Sequence, residues 1–249
     1  MTIALCCIIL LNFIGFLFSY YRQSELLTDL IYALSFVIFI LIAYGSSTKS
    51  PIQLLIAFMI SLWGLRLGYY LFVRIQFMKK DARFDKIRTN KYRLLQFWTL
   101  QTLSICILIL PYYFIFQKSI NSLNFFVLAG SIVWCFGFIL ESISDQQKFN
   151  FRKNPSNDGL FIQSGCWKYI QHPNYAGEIL CWVGLFIVAL PFLEGIEYLS
   201  IVSPLWIVYL LTQISGIKIL QKTAQKKYGH LKTYQVYRKN TNLLIPFIY

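Results

Sequence analysis

Glu141-Ser142-Ile143-Ser144-Asp145, Arg152, Asn157, Gly159, Trp167 and His172-Pro173-Asn174-Tyr175-Ala176-Gly177-Glu178 stand between two long apolar runs, and they are the residues of this chain best equipped for chemistry. Ionisable groups at the mouth of an apolar bundle are costly unless solvated or paired, so their presence there points first to a functional site. On a helix, Asn174 and Glu178 are four residues apart and share a face with Tyr175 beside them, which groups an amide, a phenol and a carboxylate. Glu141 and Asp145 repeat that spacing, and Arg152 falls seven residues beyond Asp145, on the same face if the helix continues. Pro173 suits a first helical turn, where unpaired N–H groups and a partial positive charge can receive a phosphate or carboxylate. A bland account pairs Asp145 with Arg152, makes Asn174 a helix cap and gives Glu178 a lysine. It covers each residue singly, but not the gathering of three acids, an arginine, an asparagine and a histidine at one place.

Such residues need a frame. Of 249 residues, 57% are apolar and 13% charged, the profile of an integral membrane protein rather than a soluble domain. A run of about 20 apolar residues crosses roughly 30 Å of hydrocarbon as a helix. Seven such runs lie near 3–21, 26–45, 51–73, 94–116, 121–143, 175–193 and 197–220. No repeat or long linker divides the chain, so residues 1–249 read as a single integral membrane domain, an all-α polytopic bundle of about seven transmembrane helices. Met1 to Leu10 carries no basic region and no small-residue cleavage site follows, which favours a first transmembrane helix over a signal peptide. Pro111, Pro191 and Pro204 are expected to kink or stop helices.

A net charge of +13 would suggest nucleic acid in a soluble chain, but here it follows the positive-inside rule. Arg74, Lys79, Lys80, Arg83, Lys86, Arg88, Lys91 and Arg93 follow the third run, and Lys148, Arg152, Lys153 and Lys168 follow the fifth. Both segments, with the basic tail from Lys222 to Lys239, are expected in the cytoplasm and Glu194 and Glu197 outside, so the N-terminus is out and the C-terminus in. No nucleic-acid partner is needed. The six cysteines form no CxxC pair and only His172 and His230 are available, so no metal centre is expected. Without GxGxxG or Walker A, a nucleotide would bind in a non-Rossmann manner. Asp29 and Arg66 are the other in-span charges; Arg66 snorkels, holds Asp29 or polarises a substrate, and Tyr70 lies a turn beyond it.

With Asp29 in an Asp-x-x-aromatic pattern, Trp63-Gly64-Leu65-Arg66-Leu67, Asp81-Ala82-Arg83-Phe84, Gln101, Ser144-Asp145, Arg152, Gly165-x-Trp167, His172-Pro173-Asn174-Tyr175-x-Gly177-Glu178 and Tyr234 through Ile245-Pro246, the chain resembles the bacterial steroid 5-alpha-reductase-like membrane proteins, a family long catalogued as a domain of unknown function. The likeness runs from about residue 29 to 246. It implies a seven-helix reductase, in a bacterial inner membrane, that binds NADPH within the bundle from the cytoplasmic side. By the resemblance, Asp145, Arg152, Asn174 and Glu178 belong to the cofactor site, with His172 and Tyr175 in the same motif. The family's substrate-polarising acid and tyrosine come from the N-terminal half, where Asp29 and Tyr70 are the candidates. Gln171 stands where relatives usually carry arginine, Gln221 where many carry glutamate, and Tyr32 where they tend to have tryptophan.

The reading is therefore a membrane reductase delivering hydride from NADPH to a C=C bond conjugated to a carbonyl on a lipophilic, steroid- or isoprenoid-like substrate. The enolate developing on oxygen needs a donor, for which Asp29 as a carboxylic acid in an apolar setting or Tyr70 would serve. Membrane lipids are the expected surroundings. An alternative is an S-adenosylmethionine-dependent methyltransferase of the isoprenylcysteine or phospholipid type, which shares a His-Pro-x-Tyr-x-Gly element but resembles this chain less at Ser144-Asp145 and Arg152. A third is a non-catalytic lipid-binding protein.

Overall fold

In hydrocarbon every backbone N–H and C=O must be satisfied internally, so the apolar runs become helices. The computed structural model describes residues 1–120 and 122–244, the side chain of Ala82 apart; Ile245-Pro246 of the motif set lies outside the described residues. The elements are α1 (Thr2–Arg22), α2 (Thr28–Gly45), α3 (Pro51–Met78), a short α4 (Asp85–Arg88), α5 (Lys91–Ile115), α6 (Phe125–Lys153), α7 (Pro173–Ala189), α8 (Val202–Tyr209), α9 (Ile217–Tyr228) and α10 (Lys232–Asn240). Among the described residues, seven helical stretches are long and apolar enough to cross a membrane, the last running Gly195–Tyr228 through α8, a π-helical turn at Leu210–Ile214 and α9. The seven-span, all-α expectation holds. Two boundaries differ with consequence: α3 continues past residue 73 to Met78, which takes Arg74 out of the loop and into the helix, and α6 continues to Lys153. Hydropathy marks where a helix is apolar, whereas the helix itself persists until its hydrogen-bond ladder ends.

The chain forms two compact units, Met1–Val127 with Val188–Ser203, and Leu128–Ile187 with Pro204–Tyr249. In the first, α2 packs on α3 because Gly64 and Gly68 admit Val37 and Ala33, and Trp63 fits edge-on against Phe36 with ring centroids 5.4 Å apart. Ser50 and Gln53 make a reciprocal capping box at the start of α3, and the same Gln53 amide donates to the carbonyls of Ile115 (3.1 Å) and Lys118 (2.9 Å). Asn12 donates to Ser35 Oγ (3.1 Å) and accepts from Gln101 (3.1 Å), a polar clasp joining α1, α2 and α5.

Much of the basic segment after α3 is folded structure. Buried Arg88 reaches Glu25 (3.3 Å), Asp85 (2.7 Å) and the Asp81 carbonyl (3.0 Å), and the Asp81 N–H donates to Glu25 (2.6 Å). Burial acts to raise the Asp81 carboxyl, but the hydrogen bonds and charge of Arg83 outweigh it and hold the group below its ordinary range. Arg83 and Arg88 therefore serve the loop's own architecture as well as the charge balance.

Candidate functional site

In the second unit, α6 and α7 meet along a seam of glycines. A Cβ on Gly177 would lie 2.5 Å from the Glu141 nitrogen and 2.7 Å from the Gly137 carbonyl, and one on Gly184 would lie 2.5 Å from the Trp134 nitrogen. Only hydrogen fits at such positions, and in a membrane this close backbone approach is a main source of helix association. Gly137 sits seven residues after Gly130, as Gly184 does after Gly177, so the seam repeats on both helices. Sequence reasoning included Gly177 as a motif residue and missed Gly137 and Gly184; their matched seven-residue spacing was the available signal.

The seam brings the two constellations together. Asn174 Nδ2 donates to Asp145 Oδ1 at 3.2 Å, and Asp145 is buried. Since α6 is unbroken to Lys153, Glu141, Asp145, Lys148 and Arg152 share one helix; Glu141 is buried and Arg152 is exposed in the last turn. Glu178 is half-buried one turn beyond Asn174 on α7.

The connecting segment is pinned back onto α6 rather than left free. Asn154 caps the turn Pro155–Asn157, and the Asn157 amide returns to the Phe151 carbonyl at 2.9 Å. Gly165 has a positive φ of 61°, which a side chain would strain and which a Cβ would drive into Gln147. The Cys166 N–H donates to that Gln147 side chain (3.0 Å), and the Trp167 indole donates to the Ser144 carbonyl (3.1 Å). Lys148 Nζ lies 4.4 Å from the Trp167 ring centroid, within cation–π range. Lys148 was legible in the sequence only as loop charge.

His172 is buried, and its ring stacks on Tyr175 at 5.7 Å and 13°. Burial, assisted by the nearby Lys148 charge, lowers its pKa to about 3, so the imidazole is neutral at physiological pH. Two polar atoms here are buried with no protein partner, His172 Nδ1 and Asn174 Oδ1. An unmade hydrogen bond of this kind costs roughly 1–3 kcal/mol unless a polar partner supplies it. Gln171, just before His172, turns its amide toward the C-terminal segment, donating to the carbonyls of Thr241 (2.5 Å) and Arg238 (3.2 Å).

The N-terminal candidates lie in the first unit. Asp29 accepts from Arg74 Nη2 at 3.0 Å, and the Arg74 guanidinium lies 6.0 Å from the Tyr70 ring centroid. Asp29, Tyr70 and Arg74 therefore form one group, whose third member had been assigned to the loop. Its i, i+4 relation to Tyr70 was the signal that could have found it. Among the described residues, no cluster of three or more His, Cys, Asp or Glu is arranged to hold a metal ion.

A family model described as "Protein of unknown function (DUF1295)" matches residues 15–241. The chain is also similar to 3-oxo-5-alpha-steroid 4-dehydrogenase 1 of Mus musculus, 28% identical over 122 residues, which are 49% of this chain and 42% of that protein. The Rattus norvegicus protein of the same name is 29% identical over 122 residues, 49% of this chain and 41% of its own. The chain thus spans less than half the length of the curated relatives it matches. No solved structure matches the chain.

Proposed function

The chain belongs to the family described as Protein of unknown function (DUF1295), and from that premise we propose that it is a membrane reductase using NADPH to reduce a C=C bond conjugated to a carbonyl on a lipophilic, steroid- or isoprenoid-like substrate. The observation that carries the proposal is the contact of Asp145 with Asn174, beside two buried polar atoms that lack protein partners. Asp145 as a carboxylate only accepts, so it orients the Asn174 amide with its nitrogen inward and leaves Oδ1 to accept from a ligand N–H or O–H. His172 offers a neutral polar atom and Tyr175 an aromatic face. Lys148 and Arg152, with the N-terminus of α7, suit phosphate groups, and Glu178 suits a ribose or amide donor. These residues fit a dinucleotide, and NADPH held by them would supply the hydride.

The other charge to be managed is the one that develops on the substrate oxygen. We assign its proton donor to Tyr70. Asp29, engaged with the Arg74 guanidinium as an acceptor, acts by holding Arg74 over the Tyr70 ring and so fixing the phenol's direction.

The test is a binding measurement on protein purified in mild detergent. Wild-type protein should bind NADPH, and co-extracted small molecules should include NADP(H) rather than S-adenosyl compounds. Asn174→Ala and Glu178→Gln should each weaken binding about ten- to a hundredfold, the worth of a charge-assisted hydrogen bond. Well-folded variants with unchanged NADPH titrations would remove these residues from the site.

A further inference from the structure

The turn that carries His172 and Asn174 is held from outside the seam by the C-terminal segment. The Gln171 N–H donates to the Asn242 carbonyl (2.8 Å) and the His172 N–H to the Leu243 carbonyl (3.2 Å), with Ile170 and Asn242 forming a parallel β-bridge. Because Pro173 has no N–H, these two bonds fix the last free backbone donors before α7 begins. The Gln171 side chain adds its own bonds to the Thr241 and Arg238 carbonyls, two groups left over where α10 ends. Immediately before the Arg238–Leu243 run, Tyr237 meets Trp167, donating to its carbonyl at 2.6 Å. Burial, with the neighbouring Tyr234, raises the Tyr237 phenol, which keeps it a donor at any physiological pH. Phe161 packs against Tyr228, Tyr234 and Tyr237, with ring centroids 5.8, 5.1 and 5.3 Å away, and seats α10 on the connecting segment.

We infer that Gln171 is a positioning residue: by clamping residues 238–243 to the chain just before α7, it sets the placement of His172 and Asn174 and thereby the affinity of the nucleotide site. The inference rests on the NADPH reading above. Its geometric core is that one side chain bonds the tail while its own backbone and that of His172 bond the same tail, so tail and turn move as one piece. A clamp built from amide donors is reproducible by another multi-donor side chain, and arginine supplies such donors without a carboxylate's repulsion from carbonyls.

Three variants, Gln171→Ala, Gln171→Glu and Gln171→Arg, are compared by NADPH titration, giving both the dissociation constant and the bound stoichiometry, and by hydrogen exchange of the peptide covering residues 170–180. Gln171→Ala and Gln171→Glu should raise the NADPH dissociation constant about tenfold at unchanged stoichiometry and speed exchange in that peptide, while Gln171→Arg restores both. A merely structural role would lower the stoichiometry and leave the dissociation constant of the folded fraction alone, which overturns the inference. Wild-type affinity in Gln171→Ala overturns it as well. Should wild-type protein itself not bind NADPH, the nucleotide reading fails, and with it the claim on affinity. The clamp is then decided by exchange alone, where no acceleration in Gln171→Ala rejects it.

Discussion

Replacing Gly177 by Ala tests whether the glycine seam is what makes the site. The new methyl would stand 2.5 Å from the Glu141 nitrogen and 2.7 Å from both Glu141 Cβ and the Gly137 carbonyl, all of them parts of α6 that cannot rotate away. To reach an ordinary carbon contact, α6 and α7 must separate locally by roughly 1 Å. Overpacking of this kind costs about 1–3 kcal/mol. The same movement would stretch the Asn174–Asp145 hydrogen bond, now 3.2 Å, out of range. Thermal unfolding in mild detergent reads the first effect and NADPH titration the second, with about a tenfold or greater loss of affinity expected from the broken bond. Gly45→Ala is the control, because a Cβ there meets nothing within 4 Å; it should be neutral or slightly stabilising. If Gly177→Ala unfolds at the temperature of the control and binds NADPH as tightly, the seam does not position the site and the reasoning fails.

Three further outcomes are expected. His172, depressed from 6.5 to about 3, contributes stability fully present above its unfolded value and progressively lost as pH falls from 6.5 toward 3; about 2 kcal/mol should be gone at pH 5. His172→Gln should flatten that part of the unfolding profile, and parallel profiles for the two proteins would contradict a buried neutral imidazole. Tyr70→Phe should bind NADPH normally and slow single-turnover reduction of a suitable enone by about a hundredfold or more. Asp29→Asn, acting through Arg74, should slow it less, and a parental rate in Tyr70→Phe would place the donor elsewhere. Finally, single cysteines replacing Phe84 and Ser156 in a cysteine-free background should resist an impermeant reagent applied to intact cells; labelling from outside would reverse the proposed orientation.

Run length and composition by themselves determined that this chain is a seven-span helical protein, because hydrocarbon leaves an apolar backbone no other way to satisfy its hydrogen bonds. Residue type and helical spacing also marked Asp145, Arg152, Asn174 and Glu178 as a candidate cluster, since positions on one helix share a face wherever that helix is placed. What spacing along one helix cannot determine is which side chain on a second helix it meets. The Asp145–Asn174 contact exists because Gly137, Gly177 and Gly184 let two backbones touch, a property of missing side chains that a search for reactive groups passes over. Arg74 was misplaced because apolar scoring ends where α3 becomes polar, whereas the helix continues to Met78 and carries Arg74 to Asp29. Gln171 read only as a departure from the pattern the resemblance implies; the fold reveals that its amide faces the C-terminal segment, about 70 residues away in sequence. Contacts of that range depend on how the whole chain closes, which is why the tertiary structure, and not the local pattern, decided them.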